Sequence, residues 1–307
     1  MTVHLISVGC SVLNAFHRPR EFFGDIHPVI TRHKPQHVLD DVGTSTAAMS
    51  DRLTVWFGVG GDLPTTQANL IRAVEADRWP VKVCAEMETF HRVTGRRRIA
   101  DDDLVVLLAT DTVDGLVSGM WAAVGLAGGA PERIRFVDTP GSITPQPGVA
   151  IVRVPHLDAS NESGFAKAMS GLGSLGQALL PGPHGPAETF HFHLSGGFKA
   201  AIPYLIGLAE GLRSFPDTQV TAVEAHMLHD TSDRVIRLPL RKLDYSRVRK
   251  ELACFTPDGS CNRPPNPTTM NGYAYEADPD GRRFSLTPFG VGLRTLMGIA
   301  SEPIGRG

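Results

Sequence analysis

Cysteine is scarce in this chain. Four residues out of 307, Cys10, Cys84, Cys254 and Cys261, contain no C-x-x-C pair. Such sparse spacing argues against a disulfide scaffold and for a reducing cytoplasm. An excess of charge of one sign is also missing. Thirty Lys and Arg stand against 32 Asp and Glu, a net charge of −2, so attraction of the whole protein to nucleic acid is excluded while a local basic patch stays open. No run approaches the roughly 20 apolar residues of a membrane span, and the chain enters Val3-His4-Leu5-Ile6 without a basic leader. The expectation is a soluble, cytoplasmic protein with no membrane partner. Internal repeats and long low-complexity tracts are absent as well. At 42% hydrophobic residues, the length allows one large domain or two moderate ones with a sizeable core.

What is present is an alternation of strands and helices. Val3 to Val8 reads as a buried strand that stops at Gly9, and Leu104 to Ala109, after the triplet Asp101 to Asp103, is the strongest strand signal. Further strands are expected over Arg133–Val137, Val149–Val154, Thr189–Leu194 and Gln219–Glu224. Helices are expected over Ala68–Arg78, from Asp114 as N-cap to about Leu126, over Asn161–Leu180 and over Phe198–Arg213. Gly171, Gly173 and Gly176 weaken the C-terminal half of the third of these. The pattern predicts an α/β fold, a doubly wound and mostly parallel Rossmann-like sheet with helices on both faces. Composition shifts after about Thr231, which divides the chain into residues 1–231 and a smaller part, 232–307.

Ligands of open α/β sheets sit beyond the carboxyl ends of the strands. Three polar turns fall at such ends: Gly9-Cys10-Ser11 with Asn14, Thr110-Asp111-Thr112, and Ser195-Gly196-Gly197-Phe198-Lys199. Singly, each reads as an N-cap and a turn; together they read as a pocket. In the third, two glycines would let backbone approach a ligand, and Lys199 in the first turn of a helix is electrostatically awkward unless an anion joins it. That turn is neither a Walker loop nor G-x-G-x-x-G, which disfavours a nucleoside triphosphatase or an NAD enzyme.

Taken in order, Leu5-Ile6-Ser7-Val8-Gly9-Cys10-Ser11 with Asn14, Cys84-Ala85-Glu86, Leu107 to Thr112, and Leu194-Ser195-Gly196-Gly197-Phe198-Lys199-Ala200-Ala201-Ile202-Pro203-Tyr204-Leu205 resemble the CRISPR-associated Rossmann fold (CARF) proteins of type III systems. The resemblance covers roughly residues 1–230. It implies a homodimer that binds a cyclic oligoadenylate, most often the four-membered ring, across its two-fold axis. Ser11 and Asn14 would line the pocket in one turn with Gly9 and Cys10. Thr110, Asp111 and Thr112 would border it, and Ser195 to Lys199 would contact phosphate and ribose. Some relatives also cleave the ring without metal, the ribose 2′-OH attacking phosphorus to leave a 2′,3′-cyclic phosphate. Lys199 would then face the developing charge and Ser11 would orient the ribose. Neither a cofactor nor a metal is expected, and a sensor that only binds would use the same residues.

Other features are read more simply. His191 and His193 at strand spacing, or His226 and His229 at helical spacing, offer metal-ligand types, but no cysteine or carboxylate cluster completes a set. Asp233 to Lys250 carries seven Lys or Arg against two Asp. It reads as a solvated or dimer-facing surface, with contact to RNA or DNA as the alternative. Arg96-Arg97-Arg98 reads as an exposed loop. Gly272 to Gly298, with a hairpin turn at Asp278-Pro279-Asp280-Gly281 and a helix starting at Pro288, resembles the end of a winged helix. No R-x-x-x-x-H ribonuclease motif occurs near the C-terminus. A ligand-controlled transcription regulator, or the sensing half of a larger effector, are the rival readings.

Overall fold

The computed structural model describes residues 1–75, 81–158, 164–228 and 234–299. It is an α/β protein built on a mostly parallel, seven-stranded mixed sheet, compatible with a Rossmann-like arrangement. Strand β1 (Thr2–Ser7) leads into short helices α1 (Ser11–His17), α2 (Pro19–Phe22) and α3 (His27–His33), then α4 (Thr46–Phe57), α5 (Thr65–Glu75) and α6 (Ala85–Thr94). There follow β2 (Leu104–Ala109), α7 (Val113–Ala127), β3 (Ile134–Val137), β4 (Gly148–Arg153), α8 (Phe165–Leu179), β5 (Glu188–His193), α9 (Ile202–Ser214) and β6 (Val220–Leu228). The remainder comprises β7 (Val235–Leu238), α10 (Tyr245–Leu252), β8 (Ser260–Cys261), β9 (Tyr275–Ala277), β10 (Phe284–Leu286) and α11 (Pro288–Leu296).

Strand order is β3-β4-β2-β1-β5-β6-β7, with every pair parallel except β6–β7. The central strands are buried on both faces, hence their continuous apolar sequence. Alternate residues feed two cores. Val3, Leu5, Leu104, Val106, Phe190 and Phe192 join the core of the first face. Ile6, Val105, Leu107, Val149 and Ile151 join that of the second. Helices α8, α9 and α11 supply the first core, and α1, α4 and α7 the second, as the doubly wound expectation requires.

Several local expectations shift. Thr112, not Asp114, caps α7: its hydroxyl accepts from the Gly115 N–H, and Asp114 sits in the first turn, where an acid complements the helix dipole. Helix α8 runs through its glycines undisturbed, because they are contact points. A Cβ on Gly173 would lie 2.3 Å from the Gly292 carbonyl oxygen, and one on Gly176 would lie 2.8 Å from Leu208 and Leu296. Residues 171–176 thus spell G-x-G-x-x-G, yet they lie inside a helix and not after a strand. The helix expected from Phe198 begins later. A 3-10 turn, Lys199–Ala201, precedes α9, whose second residue is Pro203, a residue without an N–H that fits only the first helical turn.

The division expected at 231/232 lies outside the described residues, as do 76–78 of the expected first helix and 161–163 of the expected third. Beyond it, β7 pairs antiparallel with β6 and extends the main sheet. The hairpin forms as expected, β9 and β10 pairing around the Asp278 to Gly281 turn, with β8 on the other side of β10. Helix α11 packs against α8 and α9, so Phe289, Leu293 and Leu296 share the core of the first face. At the centre of this part Glu251, fully buried, accepts from the Thr269 hydroxyl, the Met270 N–H and the Tyr275 hydroxyl.

Candidate functional site

The sheet order puts the three polar turns side by side. They follow β2, β1 and β5, which are adjacent and parallel, so all three emerge at one carboxyl edge. The chain leaves β1 through helices on the second face and leaves β5 through α9 on the first. The winding therefore reverses between β1 and β5, the place where open α/β sheets form a crevice.

The first and third turns are locked to each other by Glu86, at the start of α6. This carboxylate is only 1% exposed. It accepts from the Gly9 N–H at 2.6 Å and from the Ser11 hydroxyl at 2.7 Å. A Cβ on Gly196 would come within 2.4 Å of the same carboxylate, and one on Gly9 within 2.7 Å of the Gly197 nitrogen. Gly197 has φ +88, a conformation L side chains rarely adopt. The glycines thus let two turns meet backbone to backbone over a buried acid, a tighter requirement than the ligand approach expected from the sequence. Ser7 adds a hydroxyl bond to the Gly196 carbonyl at 2.6 Å.

Most hydroxyls of the edge already have structural duties. The Ser195 oxygen accepts from the Leu228 N–H at 2.7 Å and pins the end of β6. Thr110 and Thr112 pair at 2.9 Å. Asp111 is engaged on both oxygens, by Arg153 Nε and by the His156 N–H, each at 2.8 Å. What points outward is Cys10, Asn14 and Lys199, all exposed. Partial burial, with Asp114 and Glu86 nearby, raises the Cys10 thiol above its usual value, so it is no activated nucleophile. Lys199 has no ion-pair partner among the described residues, which leaves its charge for a ligand. A small cleft between Ser7, Thr110, Phe198, Ala201 and Leu205 opens between the turns.

A second polar group lies on the second face of the sheet. His4, His191 and Glu224 form one cross-strand row on β1, β5 and β6, with His193, His226 and Arg237 in the next. His4 Nδ1 lies 3.1 Å from His193 Nε2, and His191 Nδ1 lies 3.2 Å from His226 Nε2. Burial holds all four imidazoles below their usual range, His4 down to about 3; neighbouring imidazoles add to the effect at His4, His193 and His226, whereas Glu224 and Asp103 oppose it at His191. His226 belongs to a strand, so its expected helical pairing with His229, outside the described residues, does not apply. The expectation that no carboxylate completes a histidine set also fails, because the β5–β6 register puts Glu224 directly opposite His191. The sequence showed the 191/193 spacing and set His226 with His229; that Glu224 and His226 meet His191 depends on the pairing of β5 with β6.

The fold and its turn-lined edge define an α/β protein with a crevice at the reversal of winding. No protein-family model matches the chain, and no curated protein matches it. Among the described residues no helix is long and apolar enough to cross a membrane.

Proposed function

We propose that this chain is a homodimeric CARF sensor of type III CRISPR defence that binds cyclic tetra-adenylate at the edge formed by Gly9 to Asn14, Thr110 to Thr112 and Ser195 to Lys199. The observation that carries this reading is the position of the first and third turns, flanking the reversal between β1 and β5 and held together by Glu86. Lys199, without an ion-pair partner among the described residues, supplies the cation for a phosphate. A ring with internal symmetry is best matched by an isologous site built from two copies. Cleavage extends the reading. The ribose 2′-OH attacks its adjacent phosphorus, the 5′-oxygen leaves and takes up a proton, and Lys199 faces the charge that develops.

Labelled cyclic tetra-adenylate incubated with the protein tests both levels, since retention reports binding and product analysis reports cleavage. Lys199→Ala removes a charge-assisted contact worth about 1.5–3 kcal/mol, so binding weakens by about 10- to 100-fold while melting is unchanged. If the ring is cleaved, the loss in rate at saturation exceeds the loss in affinity. A folded variant that binds like the parent, or a monomer by light scattering with ligand present, overturns the reading.

One observation favours a second reading, nucleic-acid contact. Helix α10 exposes Arg247, Arg249 and Lys250 while burying Val248, Glu251 and Leu252. Under this reading a DNA duplex is retained with steep salt dependence, and charge removal at these three positions abolishes it.

A further inference from the structure

We infer that His191, Glu224 and His226 form a binding site for one zinc-class divalent cation on the second face of the sheet. The site is separate from the proposed ligand edge, being built on strand faces and not on turns.

The geometry is the first argument. His191 Nδ1 and His226 Nε2 are 3.2 Å apart, and Glu224 Oε2 lies 3.3 Å from His226 Nε2 and 3.8 Å from His191 Nδ1. Ligand atoms at about 2.0–2.1 Å from a tetrahedral zinc are separated by about 3.3–3.4 Å. The three donor atoms therefore already describe one face of such a tetrahedron, to within about half an ångström.

The second argument is rigidity. His191 and Glu224 are cross-strand partners in a hydrogen-bonded ladder, and His226 lies one pleat further along β6 on the same face. A ligand set carried by paired strands is held more precisely than one carried by loops. Arg237 binds Glu224 Oε1 at 2.8 Å, which turns Oε2 toward the two imidazoles. Carboxylate ligands are commonly oriented by such an outer contact.

Access and donor type narrow the occupant. The Glu224 and His191 side chains are 26% and 20% exposed, so the fourth position can be filled from solvent. Two nitrogens and one carboxylate oxygen suit zinc and its neighbours in the first transition row, not magnesium or calcium, which take all-oxygen shells. Two histidines and a glutamate with one open position is the donor set of catalytic zinc, where structural zinc is closed by four protein ligands. The proximity of His193, whose buried Nδ1 has no hydrogen-bond partner among the described residues, adds a further polar group to a face that is apolar under β2 and β4.

Cobalt(II) is the probe, because four-coordinate cobalt absorbs strongly in the visible while six-coordinate cobalt does not. Chelator-treated full-length protein titrated with cobalt should develop the intense band at one equivalent per chain. Zinc should bleach it and magnesium should not. Glu224→Gln, which keeps the side chain's shape, and His226→Ala should each lose the band with the far-ultraviolet spectrum unchanged. His191→Gln, at a more exposed position, carries the test should His226→Ala fail to fold. Cys10→Ser should keep the band. A titration without the band, a band that survives Glu224→Gln and His191→Gln, or a band that vanishes with Cys10→Ser overturns the inference.

Discussion

Strand β5 faces two different interiors. One side presents Phe190 and Phe192 to a dry core that continues into α8, α9 and α11; the other presents His191 and His193 to a layer of imidazoles and charges. Both sides are largely buried, yet only the first is explained by the transfer of apolar surface from water. A packed phenylalanine contributes by being there. A buried histidine contributes little to stability and brings a dependence on protonation, so its retention calls for a separate account. The comparison teaches that burial alone does not separate residues that hold the fold from residues that give it chemistry.

Acid should expose the difference most strongly. The histidines of the second face are held below 6.5, His4 at about 3. Between those values the unfolded chain binds protons that the folded chain refuses, so stability is full above 6.5 and falls as pH drops toward the folded values. The groups around His4 include His191, His193, His226, Asp103 and Arg96, and Asp103 and Glu224 oppose the trend in part at His191. Urea unfolding in chelator at about pH 7.5 and pH 5 checks this; equal midpoints would erase the contrast between the faces.

Phe192→Ala comes next, on the apolar side. Removing a fully buried ring should cost about 3–5 kcal/mol with an unchanged denaturant slope. A loss below about 1 kcal/mol would mean that the first face is not the stabilising one. Glu86→Ala should cost about 1–3 kcal/mol by leaving the Gly9 N–H and Ser11 hydroxyl without an acceptor. Hydrogen exchange should rise at Gly9 and Gly197 and stay unchanged in β4. Smallest of all, His191→Gln should change stability by less than about 1 kcal/mol, since its side chain is partly exposed. A larger loss there would make the histidine layer structural.

The strands were legible in the sequence because burial on both faces writes an unbroken apolar run, as in Leu104 to Ala109, and the turns were legible because they end such runs. Placing three turns on one edge also followed, since a parallel sheet sends the carboxyl ends of its strands to one side; that β2, β1 and β5 are neighbours is seen only in the fold. Less survived where packing overrules local preference. The glycines of α8 look like helix breakers until Gly292 is seen against Gly173. Residues 11–33, folded as short helices around Phe16, Phe23 and Trp121, have no period long enough to read. Glu86 belonged to a legible motif, but its grip on Gly9 and Ser11 depends on a helix 75 positions away along the chain from that serine. The His191–Glu224–His226 set depends on a strand register, which no spacing announces.

Helix α11 carries a practical consequence for anyone who would move this protein's α/β part onto another chain. It comes last in sequence, yet it closes the wall made by Met169, Leu172, Tyr204 and Leu208 with Phe289 and Leu293. Glycines at 173, 176, 207 and 211 are fitted to its close approach, and without it they would line an open, greasy trough. A transplant cut after β6 would therefore clump or recruit an unintended neighbour, whereas one that keeps the last helix, even on a shortened tether, would travel as a self-contained part.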